Sequence, residues 1–458
     1  LITFGVLFRI PFMVANYSHG IDDGIYAMSA KHVANGNIPF KDVFSSQGGW
    51  FLELLALPMR IFGDSHFSSR IVPCISGLII ALASFEIAKR FIAAKPAFFC
   101  ALTICLTGTV VRATAPITSD GLMVAISLLC ILFTFKFIEN SDINHALYLG
   151  ALLGLGCAIK SIFMIPTIIF IVYATFKTPI VKRFVALSTS IIIFALPFLL
   201  FGFKEVWNQS IVYHLEKDDS LNLISNIEKM SSTFSTLDLL IFILFFGFIV
   251  LSTYRYIGKS KNRLAVTNDI KSLWIYVLAT FFLLSVQTPL FRNHLVIFVP
   301  GIGIVLFIHL SEYFNKKNAN LVFSIILLIS IFFTFRSLLD DNQFRLMKNS
   351  TKYEVLLSNI KSNKGAIVLT NDVGAAFDAN KDIPIGLEDT SMYRFKSKNE
   401  NLKINSDTFA KYLQNNDTCA VVLNTSNENR TFDIEAKMST KWKLISNTDS
   451  YKVWTRSC

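Results

Sequence analysis

Two adjacent carboxylates, Asp22 and Asp23, stand in the polar stretch Y-S-H-G-I-D-D-G-I-Y-A-M-S-A-K-H. An acidic pair can be a solvated loop. It can also supply a general base, with a neighbour that orients a substrate or binds a metal. Two carboxylates side by side resist full ionisation in a dry pocket. A second polar cluster, K-D-V-F-S-S-Q, runs from Lys41 to Gln47. Four further ionisable residues lie in or beside apolar sequence. Asp120 heads an apolar run in T-S-D, where Ser119 or Asp120 could equally be a helix N-cap. Lys160 lies between two apolar runs, and an ammonium there must snorkel to the headgroups or find an anion such as a phosphate. Arg292 and His294 place a guanidinium beside an imidazole, which suits a phosphate or pyrophosphate as well as a headgroup anchor.

The elements that position these residues are mostly apolar. The chain has 458 residues, 53% hydrophobic and 16% charged, with mean hydropathy +0.51. Soluble domains average about 25% charged residues, so this is the composition of a polytopic membrane protein. The net charge of +11 does not indicate nucleic-acid binding, because the basic residues sit in short loops between apolar runs. The seven cysteines show no metal spacing. Cys419 and Cys458 lie in the polar C-terminal region and could pair if it is outside the cytoplasm.

Apolar runs at 70–88, 97–111, 121–138, 145–159, 162–176, 184–203, 237–254, 273–286, 295–310 and 321–335 read as spans, with 145–176 a pair hinged at Lys160-Ser161. Leu1 to Ala15 reads as the end of a first transmembrane helix, giving about eleven in all. Phe51 to Phe62, with Pro58 inside, reads as re-entrant or interfacial. Placing the basic clusters at 89–95, 177–183, 255–263 and 316–317 in the cytoplasm puts the acid-pair loop, the 112–120 link, Lys160, the 204–236 stretch and the 287–294 link outside. Residues 1–336 are thus expected to form a transmembrane domain with a first outer loop at 16–69. Residues 337–458 are expected to form a soluble α/β domain with strands at 366–370, 420–423 and 451–455 and a helix at 406–414.

D-D-G-I-Y-A-M-S-A, then G-N-I-P-F-K-D-V-F-S-S-Q-G-G, then F-G-D-S-H-F-S-S-R-I resembles the first outer loop of the GT-C glycosyltransferases, in the protein mannosyltransferase and aminoarabinose transferase branch. A-T-A-P-I-T-S-D is similar to their second outer loop, and R-N-H-L-V-I-F-V-P-G to a late motif. The resemblance implies a mainly α, GT-C-like polytopic membrane protein with a small C-terminal outer domain. It also implies transfer of a sugar, with inversion, from a polyprenyl-phosphate carrier to a lipid, glycan or protein acceptor. By the same resemblance Asp22 is the base, and Asp23 stands where the family has Glu. Lys41, Lys160 and Arg292 hold the carrier phosphate, with Gln47, Asp120 and His294 as further binding residues. In members that use a divalent ion, the two acids hold it. Q-G-G at Gln47 to Gly49 departs from the family's K-P-P or Q-G-P, so a lysine that some members use there is missing. The expected setting is a bacterial inner (plasma) membrane, with the site and the C-terminal domain outside. Two other readings remain. A transporter or lipid flippase would show repeated halves and charges near the bilayer middle. An O-antigen polymerase or ligase would carry a late outer loop rich in Arg and His, whereas 204–236 holds one His and no Arg.

Overall fold

The computed structural model describes residues 1–140, 142–216, 223–237, 268–313, 316–340, 351–362, 365, 367–390, 406–415, 417–425, 437–448 and 451–457. The chain divides into two compact units. The first comprises Leu1–Pro11, Pro73–Leu196 and Asp219–Asn342, and the second Phe12–Val72, Pro197–Asp218 and Gln343–Cys458.

The first unit is a bundle of apolar helices. Six helical segments among the described residues of the chain are long and apolar enough to cross a membrane: 66–89, 119–140, 143–174, 180–201, 268–286 and 292–311. A seventh forms if Ala94–Cys105 and Gly108–Thr114, bent by 62° at their junction, count as one span. This is fewer than the number of apolar runs. The opening run breaks into Ile2–Leu7 and Ile10–Met13, and 320–336 is a shorter apolar helix. The expected span at 237–254 lies outside the described residues, apart from its first position.

The 32-residue segment 143–174 is a hairpin rather than one rod. Lys160 touches Asp120, Thr167 Oγ1 lies 3.1 Å from Ser127 Oγ, and the rings of Phe170 and Phe135 are 5.5 Å apart. Contacts therefore advance along the 119–140 helix as the chain proceeds from 160 to 170. In a continuous helix Phe170 would lie about 15 Å further out than Lys160, at roughly 1.5 Å per residue. The reversal occurs in the 3₁₀ turn Ser161–Met164. On the outgoing leg, G-A-L-L-G at Gly150 to Gly154 packs its two glycines against the backbone of Ala186 and Ser190, the close approach that small residues permit between membrane helices.

The second unit holds the acid-pair helix Ile21–Ala34, the helix Trp50–Phe62 with Pro58 inside, and the short turn His66–Ser69. Gly20, at φ +102, allows the sharp entry into the acid-pair helix. Ser65 caps the 66–69 turn in a reciprocal capping box with Ser68. The C-terminal residues form a four-stranded sheet of β1 (Ile367–Thr370), β2 (Thr418–Asn424), β3 (Lys443–Asn447) and β4 (Tyr451–Thr455), in the order β1-β2-β4-β3. The β1 and β2 strands run parallel, and the other pairs are antiparallel. Helices Thr351–Ser362, Val373–Asp378 and Ser406–Lys411 accompany the sheet. Phe44 of the second polar cluster and Tyr213 share one buried core with Leu369, Val421, Phe409 and Trp454.

Candidate active site

The acid pair is split by its helix. Consecutive helical residues point about 100° apart, and here that separates exposed Asp22 from Asp23, which is 2% exposed. Asp23 is committed. Its Oδ2 accepts from Arg70 at 2.6 Å and from the His19 backbone N–H at 2.8 Å. Arg70, wholly buried, also donates to the carbonyls of Phe12, Ala15 and Tyr17 at 2.7, 2.8 and 2.6 Å. One guanidinium thus fixes both the chain entering the acid-pair helix and the second acid. The donor set does not fit a divalent ion shared by the two acids. Asp23 already balances Arg70, and among the described residues no three His, Cys, Asp or Glu groups are arranged to hold a metal.

Around this pair lies a second set of buried polar groups. Asp378 accepts from the Ser18 N–H at 3.1 Å, the Ser18 hydroxyl at 2.7 Å and the Tyr353 hydroxyl at 2.5 Å. His66 Nε2 lies 3.1 Å from Asp378 Oδ1, without an aligned hydrogen bond. Burial first, and then the Asp378 carboxylate, hold the Tyr353 hydroxyl well above its ordinary pKa, which keeps it a donor. His19, against Phe12 and Tyr17, is pushed down to about 4, chiefly by burial and then by the Arg70 charge. It is neutral at pH 7.

Gln47 joins the acid-pair helix through Tyr26, one turn beyond Asp22. Gln47 Nε2 donates to the Tyr26 hydroxyl at 3.0 Å, and Tyr26 packs edge-on to Phe51 at 4.9 Å. Lys41 is exposed at a tight turn where Phe40 adopts φ +67 and Asp42 accepts from the Ile38 N–H at 2.8 Å.

In the first unit, Asp120, Lys160 and His294 come together. Lys160 Nζ donates to Asp120 Oδ1 at 2.7 Å and to Ser119 Oγ at 3.3 Å. The same ammonium stands 4.7 Å from the centre of the Phe163 ring, and the His294 ring lies 4.8 Å from that ring. Lys160 has therefore found an anion on the neighbouring helix rather than reaching for headgroups. The capping role open to Ser119 or Asp120 falls to Thr118, whose Oγ1 receives the Gly121 N–H at 3.4 Å. Arg292 is exposed at the start of the 3₁₀ turn Arg292–Ile297 that carries buried His294.

Residues 48–201 match the family model of dolichyl-phosphate-mannose-protein mannosyltransferase. A comparison with curated protein sequences finds no match. Among solved structures, ArnT from Cupriavidus metallidurans bound to undecaprenyl phosphate is similar over 99% of this chain and 97% of its own, at TM-score 0.68 and 12% identity. The chain has an ArnT-like GT-C fold. The GT-C resemblance of the first loop is thus borne out. The archaeal oligosaccharyltransferase AglB from Archaeoglobus fulgidus, in complex with an inhibitory peptide and a dolichol-phosphate, is similar over 93% of this chain and 69% of its own, at TM-score 0.53 and 13% identity.

Some participants escaped the sequence reading. His66 and Arg70 stand inside the quoted F-G-D-S-H-F-S-S-R-I run, so their place was visible but not their partners. Asp378, Tyr353 and Ser18 carry no motif. A lone Asp in F-D-A-N gives no sign that it accepts bonds from residues more than three hundred positions earlier.

Proposed function

We propose that this chain is an integral-membrane inverting glycosyltransferase. It moves a sugar from a polyprenyl-phosphate carrier to a lipid, glycan or protein acceptor on the extracytoplasmic face of the cell membrane. The observation that carries the reading is the division of the acid pair in a GT-C fold: Asp23 neutralises buried Arg70, and Asp22 is left exposed on the same helix turn. Carrier lipids bound to the neighbours, undecaprenyl phosphate on ArnT and a dolichol-phosphate on AglB, support the donor class. Cys419 is disulfide-bonded, which suits a domain in an oxidising compartment; Cys458, its expected partner, lies outside the described residues.

In the reaction the acceptor hydroxyl oxygen attacks the anomeric carbon and its proton passes to Asp22. The carbon–oxygen bond to the carrier breaks, and the electron pair leaves with the phosphate, inverting the centre. Phosphate is a good leaving group, so the protein's work is alignment and charge neutralisation. Lys160, held by Asp120 and Ser119, supplies cationic donors for the leaving phosphate, with His294, Arg292 and Lys41 as further ligands. Gln47 steadies Tyr26 on the acid-pair helix. Mass spectrometry of the purified protein with a panel of undecaprenyl- and decaprenyl-phosphate sugars tests the donor class. Loss of sugar from one carrier is expected. The absence of both turnover and binding with every carrier tested would overturn the reading.

A further inference from the structure

We propose that Asp378 is a positioning residue for the acid pair, which makes the C-terminal domain a working part of the transferase; this rests on the reading of Asp22 as the base. Asp378 has a fully buried side chain and receives the Ser18 N–H, the Ser18 hydroxyl and the Tyr353 hydroxyl, with His66 beside it. Ser18 lies five residues before Asp23, and His66 four residues before Arg70. The two segments joined from within by the Asp23–Arg70 pair are therefore joined a second time, from outside, by a carboxylate of the C-terminal domain. Gly20, at φ +102, adds little steric restraint of its own, so the Ser18–Asp22 turn depends on the two clasps together.

The acid-pair helix is held by the same domain along its length. Gly24 meets Gly374 so closely that a Cβ on Gly24 would fall on the Gly374 backbone. Further along the helix, Lys31 pairs with Asp382 at 2.6 Å and His32 Nδ1 with buried Glu388 at 2.6 Å. These contacts fix the helix as a body. Asp378 instead holds the turn that leads into Asp22, through Ser18. Its three donors, the Ser18 N–H, the Ser18 hydroxyl and the Tyr353 hydroxyl, are uncharged groups.

The test is Asp378→Asn in the full-length protein, with Ser18→Ala and Tyr353→Phe as milder variants that each delete one bond to the same carboxylate. Hydrogen exchange over residues 16–25 reads the clasp without reference to activity. Protection there is expected to fall at least tenfold in Asp378→Asn, and to a lesser degree in the milder variants, with the membrane helices unchanged. Transfer assays are expected to show kcat per carrier-binding site lowered about tenfold or more, as sub-ångström misplacement of a reacting group does, with KM for the carrier within twofold of wild type. Unchanged exchange over 16–25 would overturn the proposal whatever the protein transfers. Loosened exchange with unaltered kcat would also overturn it, because the turn would then move without consequence for the chemistry. Loss of binding sites with normal kcat at those that remain would show a purely structural role. If the transferase reading itself is wrong, the exchange result still stands while no variant, nor wild type, turns over a carrier.

Discussion

Replacing Asp23 with Asn separates the two roles within the acid pair. Asn is isosteric and still accepts the His19 N–H, but it removes the carboxylate charge from beside the Arg70 guanidinium, whose side chain is 0% exposed. Breaking a buried ion pair from one side costs about 3–5 kcal/mol, because the surviving charge is left uncompensated. Arg70 keeps three carbonyl acceptors, which places the cost near the lower end, about 3 kcal/mol. For a unit of this size each kcal/mol shifts the midpoint by roughly 2–4 °C, so a loss on the order of 10 °C is expected. Tryptophan fluorescence in detergent reports it, since Trp442 and Trp454 lie buried in the second unit. Asp22→Asn, at an exposed position, is expected to unfold within about 2 °C of wild type. An Asp23→Asn protein that unfolds like wild type yet transfers no sugar would refute the assignment, because Asp23 would then act on substrate rather than on Arg70.

Three further outcomes follow from the geometry. His19 has a folded-state pKa of about 4 against an ordinary 6.5, so the unfolded chain takes up its proton first as pH falls; the stability is fully present above pH 6.5 and is lost towards pH 4, about 3 kcal/mol across that window. His19→Gln should flatten the fall in Tm between pH 7 and 5, and parallel pH profiles for the two proteins would contradict this. Lys160→Met should weaken binding of undecaprenyl phosphate about 10- to 100-fold, the worth of a charge-assisted hydrogen bond of roughly 1.5–3 kcal/mol, with Lys160→Arg milder; native mass spectrometry measures both, and equal affinity in Lys160→Met would remove Lys160 from the carrier site. Gly24→Ala forces a methyl group onto the Gly374 backbone, an overpacking expected to cost about 1–3 kcal/mol; an unchanged Tm would show that the helix can shift without penalty.

The apolar runs made the membrane class and most helices legible, because long windows of high hydropathy need no tertiary information. The hinge at Lys160-Ser161 was also visible, since a lysine and a serine interrupt the pattern where the chain reverses. Span number was less legible. Runs of about 15 residues do not distinguish a crossing helix from a bent or broken one, as 94–114 shows. The strand at 443–447 passed unread because K-L-I-S-N has only two apolar residues and sits at a sheet edge, where burial imposes no alternation. Within the candidate site, type and spacing exposed Asp22, Asp23, Lys160 and His294. The asymmetry within the acid pair did not show, because it depends on Arg70 folding back from a different helix. Asp378 could not be found at all, since its meaning comes entirely from contacts across the length of the chain.

The central claim, that Asp22 takes the acceptor proton in transfer from a polyprenyl-phosphate sugar, is tested most directly by Asp22→Asn in a single-turnover assay with the carrier that wild type consumes, with carrier binding measured on the same sample. The account predicts wild-type binding and stability with transfer slowed by a factor of about 10² or more, the contribution of a general base. Transfer by Asp22→Asn at the wild-type rate would contradict it and would move the base to another residue.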